Sequence, residues 1–438
     1  MLERSSTNWL SNFDPSIMDH EKHRSSYRTS GKETGFPFLI HGKERIQQNL
    51  AVRSTMKRRI FIKRLALVAG MALTCLQAQG QVQRPIPYPR PGSTREIPAP
   101  RQTFQQQAVE RSSPTDIARY LAGMPVSPES PLNRLTADPR WIAYSNAMNA
   151  AFSKLEQRQL RSMRTWRAAF LAPATQFSRV CLYFFSGADF LYADTFYPDC
   201  TTYILVSLEP VEPIPELQSV PRELLENTLQ TIEASLNTLV NFGYFQTREL
   251  RDYSQRSQLK GVLPLIFVFL ARSGKEILGV DNASLSGGTR GAKVSFLDPT
   301  TGAQKVLYYF SADLSDAGLK SNSAVLRFSS SLGPTNSFLK ASSYLLHGNG
   351  FDLARNHLLR VSASILQDDS GIPVRYFAPG NWTLRFFGSY KAPIDLFRKF
   401  YQPDLRQYYA ESLPKPLTFS FGYQLDWHIT PLIVAMRK

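Results

Sequence analysis

The stretch Val180–Pro210, VCLYFFSGADFLYADTFYPDCTTYILVSLEP, decides the fold. Cys181–Phe185 and Tyr203–Leu208 are short apolar runs of strand length, and Phe190–Phe196 between them reads as a short helix. A strand-helix-strand unit is the building block of layered α/β domains. The polar residues of the stretch fall where such a unit turns: Ser186-Gly187-Ala188-Asp189 follows the first strand, and Glu209-Pro210 follows the second.

Working outward toward the carboxyl terminus, Leu224–Val240 places Leu225, Leu229, Ile232, Leu236, Leu239 and Val240 on one side of a helix. Val262–Ala271 is apolar all round and reads as a buried helix, with a strand as the alternative. Ile277–Val280, Lys293–Leu297 and Val306–Phe310 read as strands, the last two joined by a hairpin turn at Asp298-Pro299-Thr300-Thr301-Gly302. Phe338–Leu346 and Leu353–Leu366 read as helices, separated by the glycine turn His347-Gly348-Asn349-Gly350. Trp382–Phe387 is a strand, Ile394–Glu411 a helix broken at Pro403, and Leu432–Met436 a closing strand. Toward the amino terminus, Pro139–Leu171 is a long helix with Trp141, Tyr144, Met148, Phe152, Leu155, Met163, Trp166 and Phe170 on its core side and basic residues from Arg158 to Arg167 on the other. Alternating strands and helices predict one α/β domain over 134–438, a layered domain with a mixed, partly parallel sheet flanked by helices.

Upstream, Pro85, Pro87, Pro89 and Pro91 and the polar tract Gln102–Gln107 mark 81–133 as a Pro/Gln-rich linker. Before it, Met56–Gln81 reads MKRRIFIKRLALVAGMALTCLQAQGQ. A basic start is followed by the uncharged run Leu65–Leu76 of twelve residues and the small-residue site Ala78-Gln79-Gly80, the three parts of a signal peptide over 56–80, cleaved near Gly80. A permanent span needs about 20 apolar residues, so no membrane anchor is expected. Residues 1–55 are polar without apolar periodicity and read as a disordered tract ahead of a start assigned too early, with a cytoplasmic tail as the alternative.

Arg58-Arg59-Ile60-Phe61-Ile62-Lys63 resembles the twin-arginine export signal, a pair of Arg followed by x-Phe-(Leu/Ile)-Lys, with Lys57 where that pattern has Ser or Thr. The resemblance implies a chain that folds in the cytoplasm and meets the export machinery already folded; an ordinary Sec signal is the alternative. Either route predicts a periplasmic or secreted protein. Removal of residues 1–80 takes away 13 Lys and Arg and 6 acids, which lowers the net charge from +16 to +9. That excess favours anionic envelope polymers as partners and, with its bases scattered, no nucleic acid. Cys75 leaves with the signal. Cys181 and Cys200 remain, each at or just before the start of a strand; if those strands are parallel neighbours, the sulfurs come within reach of a disulfide in an oxidising compartment, with two buried, unreacted thiols as the alternative.

In open α/β sheets a ligand lies beyond the carboxyl ends of the strands, which makes Ser186, Gly187, Asp189 and Glu209 candidate site residues. Gly187 with Glu209 is the outline of a nucleotide or S-adenosylmethionine site without the full glycine fingerprint, the rival being a structural turn in which Asp189 caps the helix. Ser186 lacks the Gly-x-Ser-x-Gly elbow and would need His347, His357 or His428 as a base. Asp368 and Asp369, read at a helix carboxyl end, oppose the macrodipole and therefore call for a partner such as Arg375 or a cation. Phe397, Phe400, Tyr401, Tyr408 and Tyr409, interleaved with Arg398, Lys399 and Arg406, suit either packing or the binding of acidic sugars. The Asn282 and Asn381 sequons carry no weight beside a bacterial-type signal. No cofactor is expected, and no spacing matches a metal site.

Phe185–Asp189, Leu208–Pro210 and Gln367–Pro373 resemble phrases of a group of uncharacterised exported bacterial proteins. The likeness covers most of 180–438 and implies one recurring domain and no particular reaction. The sequence therefore predicts an exported protein with a binding or envelope-associated role. Its rivals are a periplasmic hydrolase in which Ser186, Asp189, Glu209, Asp368 and Asp369 share a cleft, and a nucleotide- or cofactor-binding Rossmann-like domain.

Overall fold

Strands β1 (Val180–Phe184) and β2 (Thr202–Ser207) pair in parallel, Leu182 opposite Ile204, with the helix Phe190–Phe196 between them. In the computed structural model, which describes residues 111–242, 259 and 261–438, seven further strands extend this pair to a nine-stranded sheet. They are β3 (Glu276–Asn282), β4 (Arg290–Asp298), β5 (Ala303–Ser311), β6 (Thr335–Leu339), β7 (Ser362–Gln367), β8 (Trp382–Gly388) and β9 (Pro431–Arg437), in the order β3-β4-β5-β2-β1-β6-β7-β9-β8. β5, β2, β1, β6 and β7 run parallel, whereas β3–β4–β5 and β7–β9–β8 are antiparallel. The domain is thus a layered α/β fold with a mixed, partly parallel sheet.

The central strands are buried on both faces and alternate strictly. Cys181, Tyr183, Tyr203 and Leu205 face one core cluster; Leu182, Phe184, Ile204 and Val206 face the other. The first cluster is covered by the helices Pro114–Leu121, Pro139–Leu155, Arg222–Phe242 and Leu263–Arg272. Pro139–Leu155 continues to Thr175 through two π-helical segments, Glu156–Leu160 and Arg167–Leu171. The second cluster lies under Asp316–Ser321, Ala324–Ser331 and Asp352–Val361.

Three expectations need correction. Part of the linker is folded: the helix Pro114–Leu121 is capped by Ser113 and buries Tyr120, Leu121 and, beyond it, Ala122. Trp141 Nε1 donates to the Tyr120 carbonyl at 3.3 Å and Tyr144 to that of Leu121 at 2.5 Å, which ties this segment to the long helix. The folded unit therefore starts before residue 134. The signal, Arg58 and Arg59, and residues 81–110 lie outside the described residues.

Phe338–Leu346 is not a helix, since its first residues end strand β6, and the Leu353–Leu366 helix stops at Val361 and becomes strand β7 without a loop. These strands hide because they are polar. Thr335, Asn336, Ser337, Ser362 and Ser364 are buried in mid-sheet and satisfy one another: Ser337 Oγ to Ser362 Oγ at 2.6 Å, Ser364 Oγ to Asn336 Oδ1 at 2.7 Å. Buried polar groups paired this way are tolerated, yet they erase the apolar signal that marks a core strand.

The third concerns the cysteines. β1 and β2 are parallel neighbours, but Cys181 and Cys200 are buried free thiols with no bridge between them. Register sets Cys181 opposite Tyr203, while Cys200 sits in the preceding turn, hydrogen-bonded by Asn336. Burial pushes both thiols up, that of Cys200 to about 12.

Candidate functional site

From β1 the chain winds outward to β2 and β5, then returns to lay β6 and β7 on the opposite side. The reversal falls between β1 and β6, and in a doubly wound sheet the crevice for a ligand lies at the carboxyl ends of the strands at that point. With the β3–β4 hairpin set aside, the strands lie in the order third, second, first, fourth, fifth, seventh, sixth.

The backbone is bent out of ordinary geometry here. Five non-glycine residues have left-handed conformations among the described residues, and four lie at this place: Phe185 (φ 60°) after β1, and Ala341 (50°), Ser343 (54°) and Tyr344 (55°) after β6. A side chain with a Cβ is strained there by roughly 1–2 kcal/mol. Such strain survives where the surroundings hold it, and those surroundings are a dense polar network.

Lys340, the residue after β6, is its centre. Its ammonium lies 2.6 Å from Asp189 Oδ2 and 3.3 Å from the centre of the Tyr192 ring, wholly buried. Burial depresses the lysine despite Asp189 and the more distant Asp368. Asp189 also accepts from the Tyr183 hydroxyl at 3.1 Å and from the Tyr192 amide at 3.2 Å, which caps the helix Phe190–Phe196. The capping role expected of Asp189 is met, and its ion pair across the sheet comes in addition.

Asp368 and Asp369 follow strand β7 rather than a helix, so the macrodipole argument does not apply to them. Their partner is not Arg375, which donates to the His347 carbonyl at 3.2 Å. Asp368 accepts from the Ala341 amide at 3.1 Å and from the amide and hydroxyl of Ser370 at 3.2 and 2.6 Å. Asp369 accepts from the Tyr344 hydroxyl at 2.6 Å. Each acid thus holds one of the left-handed residues. Burial raises both carboxyls, Asp369 further because of the charge on Asp368. Gly422 presses against Asp368, and a side chain at that position would collide with the carboxylate. Tyr344 stacks on Phe400 at 5.1 Å and meets Phe397 at 4.8 Å, which accounts for part of the aromatic segment as packing.

Of the five cleft candidates, Asp189, Asp368 and Asp369 are joined through Lys340, Ala341 and Tyr344. Ser186 and Glu209 stand apart from that network. The Ser186 hydroxyl donates to the Gly187 carbonyl at 3.0 Å. The three histidines hydrogen-bond elsewhere: His347 to the Asp369 carbonyl, His357 to Ser329 and His428 to Asp426. Glu209, half-buried beyond β2, is oriented by the hydroxyls of Ser207 and Tyr309, the latter at 3.4 Å. Gly187 supplies a left-handed turn (φ 53°) between the two. Among the described residues, no group of three or more His, Cys, Asp or Glu side chains could hold a metal ion, and no helix is long and apolar enough to cross a membrane.

Sequence reading missed Lys340 and Tyr344, because it placed both in a helix. A lysine directly after Ser337-Phe338-Leu339 is the signal that a strand assignment for β6 would have exposed. The chain matches no protein-family model, no curated protein and no solved structure.

Proposed function

We propose that this chain is an exported, envelope-associated binding protein that takes a small ligand in the crevice at the carboxyl ends of β1, β2 and β6. The observation that carries the reading is the concentration of left-handed non-glycine residues at that edge. Retained backbone strain clusters at ligand clamps and active sites, and the switch point of a doubly wound sheet is where such a clamp is useful. Binding is favoured over hydrolysis because a serine nucleophile needs a base within hydrogen-bond reach. Ser186 turns to its own neighbour's carbonyl, and Asp189 is held by Lys340.

One observation favours a nucleoside-type ligand as the second reading. Glu209 presents an oriented, half-exposed carboxylate at the end of β2, suited to accept hydrogen bonds from a pair of hydroxyls. Asp189 occupies the start of the helix that follows β1, where a phosphate would sit in a dinucleotide site, so a nucleoside or S-adenosylmethionine fits the arrangement better than a pyrophosphate.

Mass spectrometry of small molecules released by denaturing protein purified from its native envelope tests both readings. The expected result is one retained species, lost from the Glu209→Ala variant. Ligand-free protein, or retention unchanged by Glu209→Ala together with Leu208→Trp, overturns the assignment. Amino-terminal sequencing of the same material checks export: a mature start near Gln81 is expected.

A further inference from the structure

The opposite, amino-terminal edge of the sheet carries a different chemistry. Strand register sets Arg179, just before β1, in one row with Pro334 before β6 and Val361 before β7, and brings Lys438, where the antiparallel β9 run ends, level with the adjoining Ser362. At about 4.8 Å between strands the row is roughly 15 Å wide. Arg179, Arg360, Arg437 and Lys438 are exposed along it. Arg179 donates to the Asp199 carbonyl, Arg437 to those of Ser362, Leu359 and Arg360, and Lys438 to that of Pro379, while Arg360 meets His357 Nδ1. None of the four has a carboxylate partner among the described residues. Asp199, the exposed acid beside Arg179, is held by Arg167.

Two bare apolar side chains share this edge. Phe177 is 74% exposed and Leu332 37% exposed, and their loops are tied by the Ser178 hydroxyl on the Pro334 carbonyl at 2.5 Å. A naked phenyl ring on the same edge as cations without an ion-pair partner is poorly matched to water. It is well matched to a lipid interface, where acyl chains begin just beneath a layer of phosphates. A soluble acidic polymer would engage the cations and leave Phe177 in solvent.

We propose that the amino edge docks on an anionic membrane surface, with Phe177 entering the boundary of headgroups and acyl chains and Arg179, Arg360, Arg437 and Lys438 meeting lipid phosphates. Co-sedimentation of the full chain with vesicles of phosphatidylcholine alone, or mixed with phosphatidylglycerol, tests this. Binding is expected to the mixed vesicles only, and to weaken with salt. Each cation near such a surface contributes about fivefold in affinity, so the Arg179→Gln/Lys438→Gln variant should bind about 25-fold more weakly. Phe177→Ser should also weaken binding but leave the salt dependence intact, because apolar insertion is not screened. Circular dichroism confirms that each variant is folded. Equal binding to both vesicle types overturns the proposal. So does a Phe177→Ser variant that binds like the parent while polyglutamate competes, which would assign the face to a soluble polyanion.

Discussion

The two edges of one sheet treat charge in opposite ways. At the carboxyl edge Lys340, Asp189, Asp368 and Asp369 are withdrawn from water, paired or hydrogen-bonded, and the backbone after β1 and β6 is held left-handed. At the amino edge the cations stand in solvent, carbonyls are their main partners, and the residues before β1, β6 and β7 show no left-handed non-glycine geometry. The difference teaches that the sheet's stability is invested in the first edge, while the second is free to serve contact with something outside. Removing one partner from the buried charges of the carboxyl edge should cost stability; substitutions of the exposed cations at the amino edge should leave the protein folded and alter only what it touches.

The comparison breaks first at Lys340. Lys340→Met leaves Asp189 charged in a dry environment and should cost about 3–5 kcal/mol in urea unfolding. The double variant Lys340→Met/Asp189→Asn should recover most of that loss, since an ion pair replaced as a unit is close to neutral. A single-variant loss below about 1 kcal/mol would mean that water reaches the pair and that the two edges are alike.

Asp369 gives the next largest effect. A carboxyl raised in the fold binds protons that the unfolded chain has released, so stability falls as pH rises above the ordinary carboxylate value toward about 8. The buried His347 and His357 act in the opposite direction, because burial lowers each to about 4, but their contribution is common to parent and variant and cancels between them. As pH rises above the ordinary carboxylate range the parent should lose stability progressively relative to Asp369→Asn. Parallel stability profiles for the two proteins would show that Asp369 is ionised in the fold.

Smaller again is Ala341→Gly. Removing the Cβ at φ 50° should stabilise the domain by about 1 kcal/mol, less the entropy that glycine adds to the unfolded chain. A loss instead would mean that the methyl group packs usefully. The smallest expected effect is on the other edge: Arg179→Gln/Lys438→Gln should change stability by no more than about 0.5 kcal/mol, as exposed sites without buried partners do.

How far the sequence disclosed this arrangement follows from which residues carry an apolar signature. β1 and β2 announce themselves through Leu182-Tyr183-Phe184 and Ile204-Leu205-Val206, and the β4–β5 hairpin through Asp298–Gly302. The helices Arg222–Phe242 and Leu263–Arg272 were legible for the same reason. β6 and the start of β7 were not, because Asn336, Ser337, Ser362 and Ser364 satisfy one another across the sheet and mimic surface residues in sequence. The site inherits that blindness. Asp189, Glu209, Asp368 and Asp369 could be marked as polar residues near turns, but the partners that gather three of them, Lys340, Ala341 and Tyr344, follow a strand that periodicity does not reveal. The folded start at Ser113 escaped because its Pro-rich surroundings look like a tether, although Pro114 sits at the first turn of a helix, where its missing N–H costs nothing.

The buried Asp189–Lys340 pair has a consequence for descent. Neither partner can be lost alone without stranding the other, so lineages should either keep both or abandon both in close succession. Among relatives, a chain with an apolar residue at the position of Lys340 and an aspartate still at that of Asp189 should be rare, or should carry a new cation in its place.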